Sequence, residues 1–204
     1  MISCGRWHVR PGLIPRPEAH ADESGEMKLL RTIRLDPSDT FVFEPAAEPG
    51  EWAVSGAFVF WNRDAASLQG KARTAFRSGF LGVSTLGWST LVQIVEANEE
   101  NRRMVVETLA RQLMTHFGAP TIDDATAAAE EELTFTESLC TQPVDTLIAV
   151  HRSFEEGTVR ESFRTLRPRN GPKPARAFSF MEVDGEDEPG EAVDLISMVG
   201  RERK

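Results

Sequence analysis

The stretch from Trp88 to Arg167 constrains this 204-residue chain more than any other, because strand, helix and turn signals follow one another there without conflict. Leu91 to Val95 is an apolar run of strand length, and Asn98 follows it where a helix N-cap belongs, with Glu99 and Glu100 in the first turn. Val105, Val106, Leu109, Leu113, Met114 and Phe117 then recur at three- and four-residue spacing, which predicts a helix with one buried stripe. Gly118 and Pro120 supply its stop, and Thr121 with Asp124 three residues on predicts the cap of a second helix running to about Cys140. Its stripe of Ala125, Ala128, Ala129 and Leu133 suits close packing. After Pro143, the segments 146–154 and 159–166 flank Glu155-Glu156-Gly157-Thr158, where glycine can take the positive φ that a hairpin turn needs. On the second strand of this hairpin Val159, Glu161, Phe163 and Thr165 share one face, and Arg160, Ser162, Arg164 and Leu166 the other. At least one face is therefore wet, and the ladder is expected near a sheet edge.

Upstream of the block the signals are weaker. Residues 1–26 carry three prolines, three glycines and no apolar period, so they have little surface with which to offset the entropy of ordering, and a disordered or loosely draped arm is expected. The character changes at Met27, the expected natural start, with the arm as an added extension. Met27 to Leu35 reads as the first strand, Asp36-Pro37-Ser38-Asp39 as a turn, and Thr40 to Glu44 as a second strand. Trp52 to Trp61 is apolar without alternation, as expected of a central strand covered on both faces. Leu68, Ala72 and Phe76 predict a short helix within 64–77, although an interior Gly70 would cost about 1 kcal/mol relative to alanine. The glycine-containing stretch 78–89 reads as a flexible connection. Downstream, Ala177 to Val183 reads as a last strand, and six acids among the eleven residues 184–194 open a solvated acidic tail, 184–204. The fold expected is a single α+β domain over residues 27–183, with a mainly antiparallel sheet and the two consecutive helices packed on one face.

Composition narrows the function classes. Apolar residues make up 40% and charged residues 27%, ordinary for a globular chain, and no apolar run approaches the ~20 residues of a membrane span. A net charge of −9 repels nucleic acid and anionic lipid on average. Two cysteines, Cys4 and Cys140, far apart in the chain, fit neither a disulfide scaffold nor a cysteine-rich zinc site, and the N-terminus has no apolar core of a signal peptide. A cytoplasmic protein is expected.

Few residues suggest chemistry. Lys71, Arg73 and Arg77 precede the glycines Gly79, Gly82 and Gly87, and cations beside backbone amides are what a phosphate or carboxylate site requires. Neither a P-loop nor a dinucleotide fingerprint accompanies them. His151 is the candidate titratable group, while His116 at a helix end is placed by the dipole. Arg160, Arg164, Arg167, Arg169, Lys173 and Arg176 form a second basic group, set against an acidic tail just downstream. Asp123, Asp124, Glu130, Glu131 and Glu132 read as capping residues and a wet helix face, with no histidine or cysteine at ligand spacing, so no metal is predicted. No motif predicts a cofactor. Trp52, Trp61 and Trp88 are expected to anchor the core or an interface.

Residues 27–167, above all Ala57-Phe58-Val59-Phe60-Trp61-Asn62-Arg63 and Gly87-Trp88-Ser89-Thr90-Leu91-Val92, resemble a family of uncharacterised bacterial proteins known by sequence only. The resemblance supplies no catalytic residue; it implies a gene neighbourhood shared with redox-enzyme accessory proteins. Three readings of function stay open. The first is a non-catalytic accessory protein acting through protein contacts, including a homodimer formed by an exposed strand or apolar helix face. The second is a small-anion binder or enzyme using Lys71, Arg73, Arg77, the 79–87 loop and His151. The third is a nucleic-acid binder through 160–176.

Overall fold

The structure is a computed structural model, and it describes residues 27–61, 63–155, 158–168 and 181–184. The expected arm 1–26, the tail beyond Asp184, the first part of the last strand and the cations Arg169, Lys173 and Arg176 lie outside the described residues. Eight strands form one sheet: β1 Lys28–Ile33, β2 Trp52–Val54, β3 Phe80–Gly82, β4 Trp88–Ser89, β5 Leu91–Glu96, β6 Leu147–Glu155, β7 Thr158–Pro168 and β8 Met181–Asp184. Their order is β4-β3-β2-β1-β5-β6-β7-β8, with every neighbouring pair antiparallel. Four α-helices accompany them among the described residues: α1 Ser38–Val42, α2 Gly70–Ser78, α3 Glu99–His116 and α4 Ile122–Ser138. None is long and apolar enough to cross a membrane.

The α+β expectation holds, and its best-founded elements form for the reasons the sequence suggests. At the start of α3 the Asn98 side chain accepts from the Asn101 amide while Asn101 accepts from the Asn98 amide, a reciprocal cap. Thr121 accepts from the Asp124 amide and caps α4 in the same sense. Between them Gly118 takes φ 71°, a left-handed backbone that lets the chain reverse. Alternation along β1, β2 and β3 sends Leu29, Val54 and Leu81 to one face and Leu30, Ala53 and Phe80 to the other. The first set packs with Val105, Leu109, Ala129 and Leu133 of α3 and α4. The second packs with Val92, Ile94, Ile148 and Val150. Each fully buried leucine contributes about 1.5–3 kcal/mol relative to exposure. Phe80 of β3 meets Phe163 of β7 with ring centroids 6.1 Å apart, although five strand-to-strand steps separate them in the sheet. The sheet is therefore curled, and its second face is the inside of the curl.

Several local expectations need correction. Thr40 to Glu44 is not a strand: the Asp36 carboxylate accepts from the Ser38 amide and the Pro37 carbonyl accepts from both the amide and the hydroxyl of Thr40, which winds the chain into α1. The apolar run 52–61 is strand only over β2. Gly56 then turns with φ 78°, and 57–60 is a 3₁₀ turn whose Phe60 packs on Phe76 and Trp88. The central positions belong instead to β1 and β5. Gly70 opens α2 rather than interrupting it. The supposed flexible connection 78–89 is the β3–β4 hairpin, with Phe80, Leu81 and Val83 buried. Trp88 is core as expected and Trp52 carries the Arg31 guanidinium on its ring, but Trp61 is 56% exposed.

Candidate functional site

The sequence-derived candidates divide into those that meet and those that do not. Helix α2 buries Ala75 and Phe76 and turns Arg73 and Arg77, one turn apart, to water. It packs across β6, whose alternation points His151 outward and Arg152 inward. Arg73, Arg77 and His151 consequently line one shallow recess of about 360 Å³, together with Gly70, Thr74 and Ser78. On the same outward face of β7, Arg164 and Arg160 stand diagonal to His151 on either side of Ser162, which pairs with His151 across the strands. Arg160 is engaged by Glu155 at 2.9 Å. Among the described residues, Arg73, Arg77 and Arg164 have no ion-pair partner.

The donor inventory of the recess is narrow. Thr74 donates its hydroxyl proton to the Gly70 carbonyl and Ser78 donates to the Thr74 carbonyl, so both hydroxyls already spend their single proton on the helix. Two guanidinium forks and an imidazole remain. Like charges at i and i+4 repel by a few tenths of a kcal/mol, and an anion seated between them removes that cost.

Lys71, Gly79 and Gly82 are not brought into the recess. Lys71 pairs with Glu44 at 3.2 Å on an exposed surface. The Gly79 carbonyl accepts from Arg152. The loop after Gly82 does cradle an anion, but the anion is the chain's own. The Glu51 carboxylate accepts from the Ser84 and Thr85 amides, the Thr85 hydroxyl and the Glu48 amide. A Cβ on residue 82 would lie 2.4 Å from that carboxylate, so a side chain there would displace Glu51 from these donors. His116 is exposed at the end of α3, far from any part of this constellation in the sequence and absent from its lining. Asp123, Asp124, Glu130 and Glu131 are exposed as expected. Glu132 is not. It is buried and accepts from the Gly56 amide at 3.0 Å. Its spacing from Ala125, Ala128 and Ala129 places it in the buried stripe, the signal that would have found it.

Arg152 is the largest surprise. It is 1% exposed and its five N–H groups have five contacts: Nε to Glu161 at 2.8 Å, Nη1 to the Phe76 and Gly79 carbonyls at 3.1 and 2.7 Å, and Nη2 to the carbonyl and hydroxyl oxygens of Ser55. Ser55 in turn donates to Glu161. A buried charge needs such company, since removing it from water without a partner costs several kcal/mol. The sequence signal was available in the alternation Ile148, Val150, Arg152 and in the facing Glu161. Among the described residues no group of three or more histidine, cysteine or acidic side chains is arranged to hold a metal.

No curated protein and no solved structure matches the chain. The sequence model of a family of unknown function, DUF6505, matches residues 27–179, well over half the chain and nearly all of the described domain, and the chain belongs to that family.

Proposed function

We propose that the protein binds an anionic group, a carboxylate or phosphate, in the recess between α2 and β6. The observation that carries this reading is the convergence of Arg73, Arg77 and His151, from two separate elements, on one concavity in which the cations lack acidic partners. Arginine is suited to the task because its planar fork donates two parallel hydrogen bonds to such oxygens. The role is recognition. An affinity on the order of 1 mM, about −4 kcal/mol, is expected for inorganic phosphate at so open a site. Titration with phosphate, followed through the His151 ring resonances, tests it. Saturable shifts that vanish in Arg73→Ala/Arg77→Ala and persist in Lys71→Ala support the reading, and shifts equal in all three proteins, or none, defeat it.

A second reading, the cytoplasmic accessory protein acting through protein contacts, draws on a different place. Leu35 is 62% and Phe41 71% exposed, with Val42 beside them, all within the short stretch from the end of β1 to the end of α1. Exposed apolar side chains this close together in the chain suit a partner surface, including that of a second copy. Light scattering of the wild type and of Phe41→Ser decides whether self-association uses it.

A further inference from the structure

We infer that Arg152 is a positioning residue for the anion recess, holding the last turn of α2 on β6 from the inner side of the strand. The inference rests on the anion-binding reading for its functional half and on geometry alone for the rest. Arg77 and Ser78 line the recess from the outside. The carbonyls of Phe76 and Gly79, immediately on either side of that pair, accept from the Arg152 guanidinium on the inside. A helix end leaves its last carbonyls without intrahelical donors. At the end of α2 a fork delivered by a strand distant in sequence satisfies the carbonyl of Phe76 and that of Gly79 just beyond the helix, and its own position is fixed by Glu161 and Ser55. Since Arg152 follows His151 on β6, the same peptide unit that aims the imidazole outward aims the clamp inward. The separation between His151 and the α2 arginines is thus set by one buried side chain, which touches no ligand.

Lysine cannot reproduce this arrangement, because an ammonium lacks the planar fork that spans two carbonyls and a carboxylate. Two variants separate position from mere stability: Arg152→Lys, and the double Arg152→Met/Glu161→Gln, which leaves no charge buried alone. Each is examined by amide hydrogen exchange across all helices and by phosphate titration. The expected result is exchange in α2 faster by about tenfold or more, with α3 and α4 unchanged relative to one another, and phosphate binding weakened to a similar extent in protein that remains folded. Uniform acceleration in α2, α3 and α4 overturns the inference, as does loosened α2 with undiminished phosphate affinity. If the wild type binds no phosphate, the anion-binding reading falls. The exchange pattern then decides the clamp by itself, selective loosening of α2 upholding it and uniform exchange rejecting it.

Discussion

His151 and Arg152 are consecutive on β6, and the two sides of that strand treat cationic side chains in opposite ways. Inside the curl, Arg152 is out of water and every one of its donors is engaged by Glu161, Ser55 and the end of α2. Outside, Arg73 and Arg77 are exposed, have no acid beside them among the described residues, and face the imidazole across an open recess. The inner arginine is architecture because the chain supplies its counter-charge. The chain supplies none to the outer pair, which is the condition the proposed recognition of an anion requires. The β3–β4 loop makes the same point from the anion's side: its amides could serve a ligand, yet Glu51 occupies them in cis.

The sharpest way to break this contrast is to remove the inner charge alone. Arg152→Met leaves Glu161, whose side chain is only 10% exposed, buried without its cation, and a loss of about 3–5 kcal/mol is expected from urea unfolding. A loss below about 1 kcal/mol would place Arg152 among the surface cations after all.

Cys140 tests whether the inner face stays closed. Burial, reinforced by the nearby Glu137 carboxylate, pushes its thiol up to about 12, against an ordinary value of 9.0. Between those values the unfolded chain gives up its proton and the folded chain keeps it. The contribution of Cys140 to stability is therefore flat below pH 9.0 and declines as pH rises toward about 12. In a Cys4→Ser background, a thiol reagent at pH 8 should react with Cys140 only at the rate of opening, and the unfolding midpoint should fall with alkaline pH less steeply in Cys140→Ala. Rapid labelling of the folded protein would show the inner face to be open.

A smaller effect is expected at the loop whose anion is supplied in cis. Glu51→Ala strips the Ser84 and Thr85 amides of their acceptor at a partly solvated site, so about 1 kcal/mol should be lost in thermal unfolding, with faster exchange confined to the β3–β4 hairpin. Equal stability would mean that water replaces the carboxylate at no cost.

The elements that were legible from sequence are those specified by neighbours in the chain. The caps at Asn98 and Thr121, the stripes of α3 and α4 and the β6–β7 hairpin are written in spacings of two to four residues, and they form as read except at Met114, which was expected in the α3 stripe and is exposed instead. The region 36–89 was misread where distant groups decide the outcome. The apolar run 52–61 looks like one strand, but Phe58 and Phe60 are drawn out of it by packing against Phe117, Phe76 and Trp88. The hairpin at 80–89 depends on Glu51, some thirty residues upstream, for its turn. At the site, the spacing of Arg73 and Arg77 on one helix face was visible and their meeting with His151 was not, because nothing local says that α2 crosses β6. The burial of Arg152 and Glu132 follows from phases already present in their own elements, and was missed because charged residues are ordinarily placed outside.

The smallest change has the most diagnostic sign. Arg73→Ala deletes an exposed cation that repels Arg77 one turn away and replaces it with the best helix former, so the folded protein should gain a few tenths of a kcal/mol, about 0.2–0.5 from the relieved repulsion. Phosphate affinity should fall in the same variant. Removing Arg77 is a poorer test because, in the last turn of α2, it also complements the helix dipole. A residue that costs stability where it stands and whose loss weakens anion binding is held there for the ligand, whereas Arg152, the same residue type one strand face away, should cost stability when removed. If Arg73→Ala instead destabilises the protein by 1 kcal/mol or more, beyond what a surface substitution produces, the outer arginines are structural and the distinction between the two faces of β6 collapses.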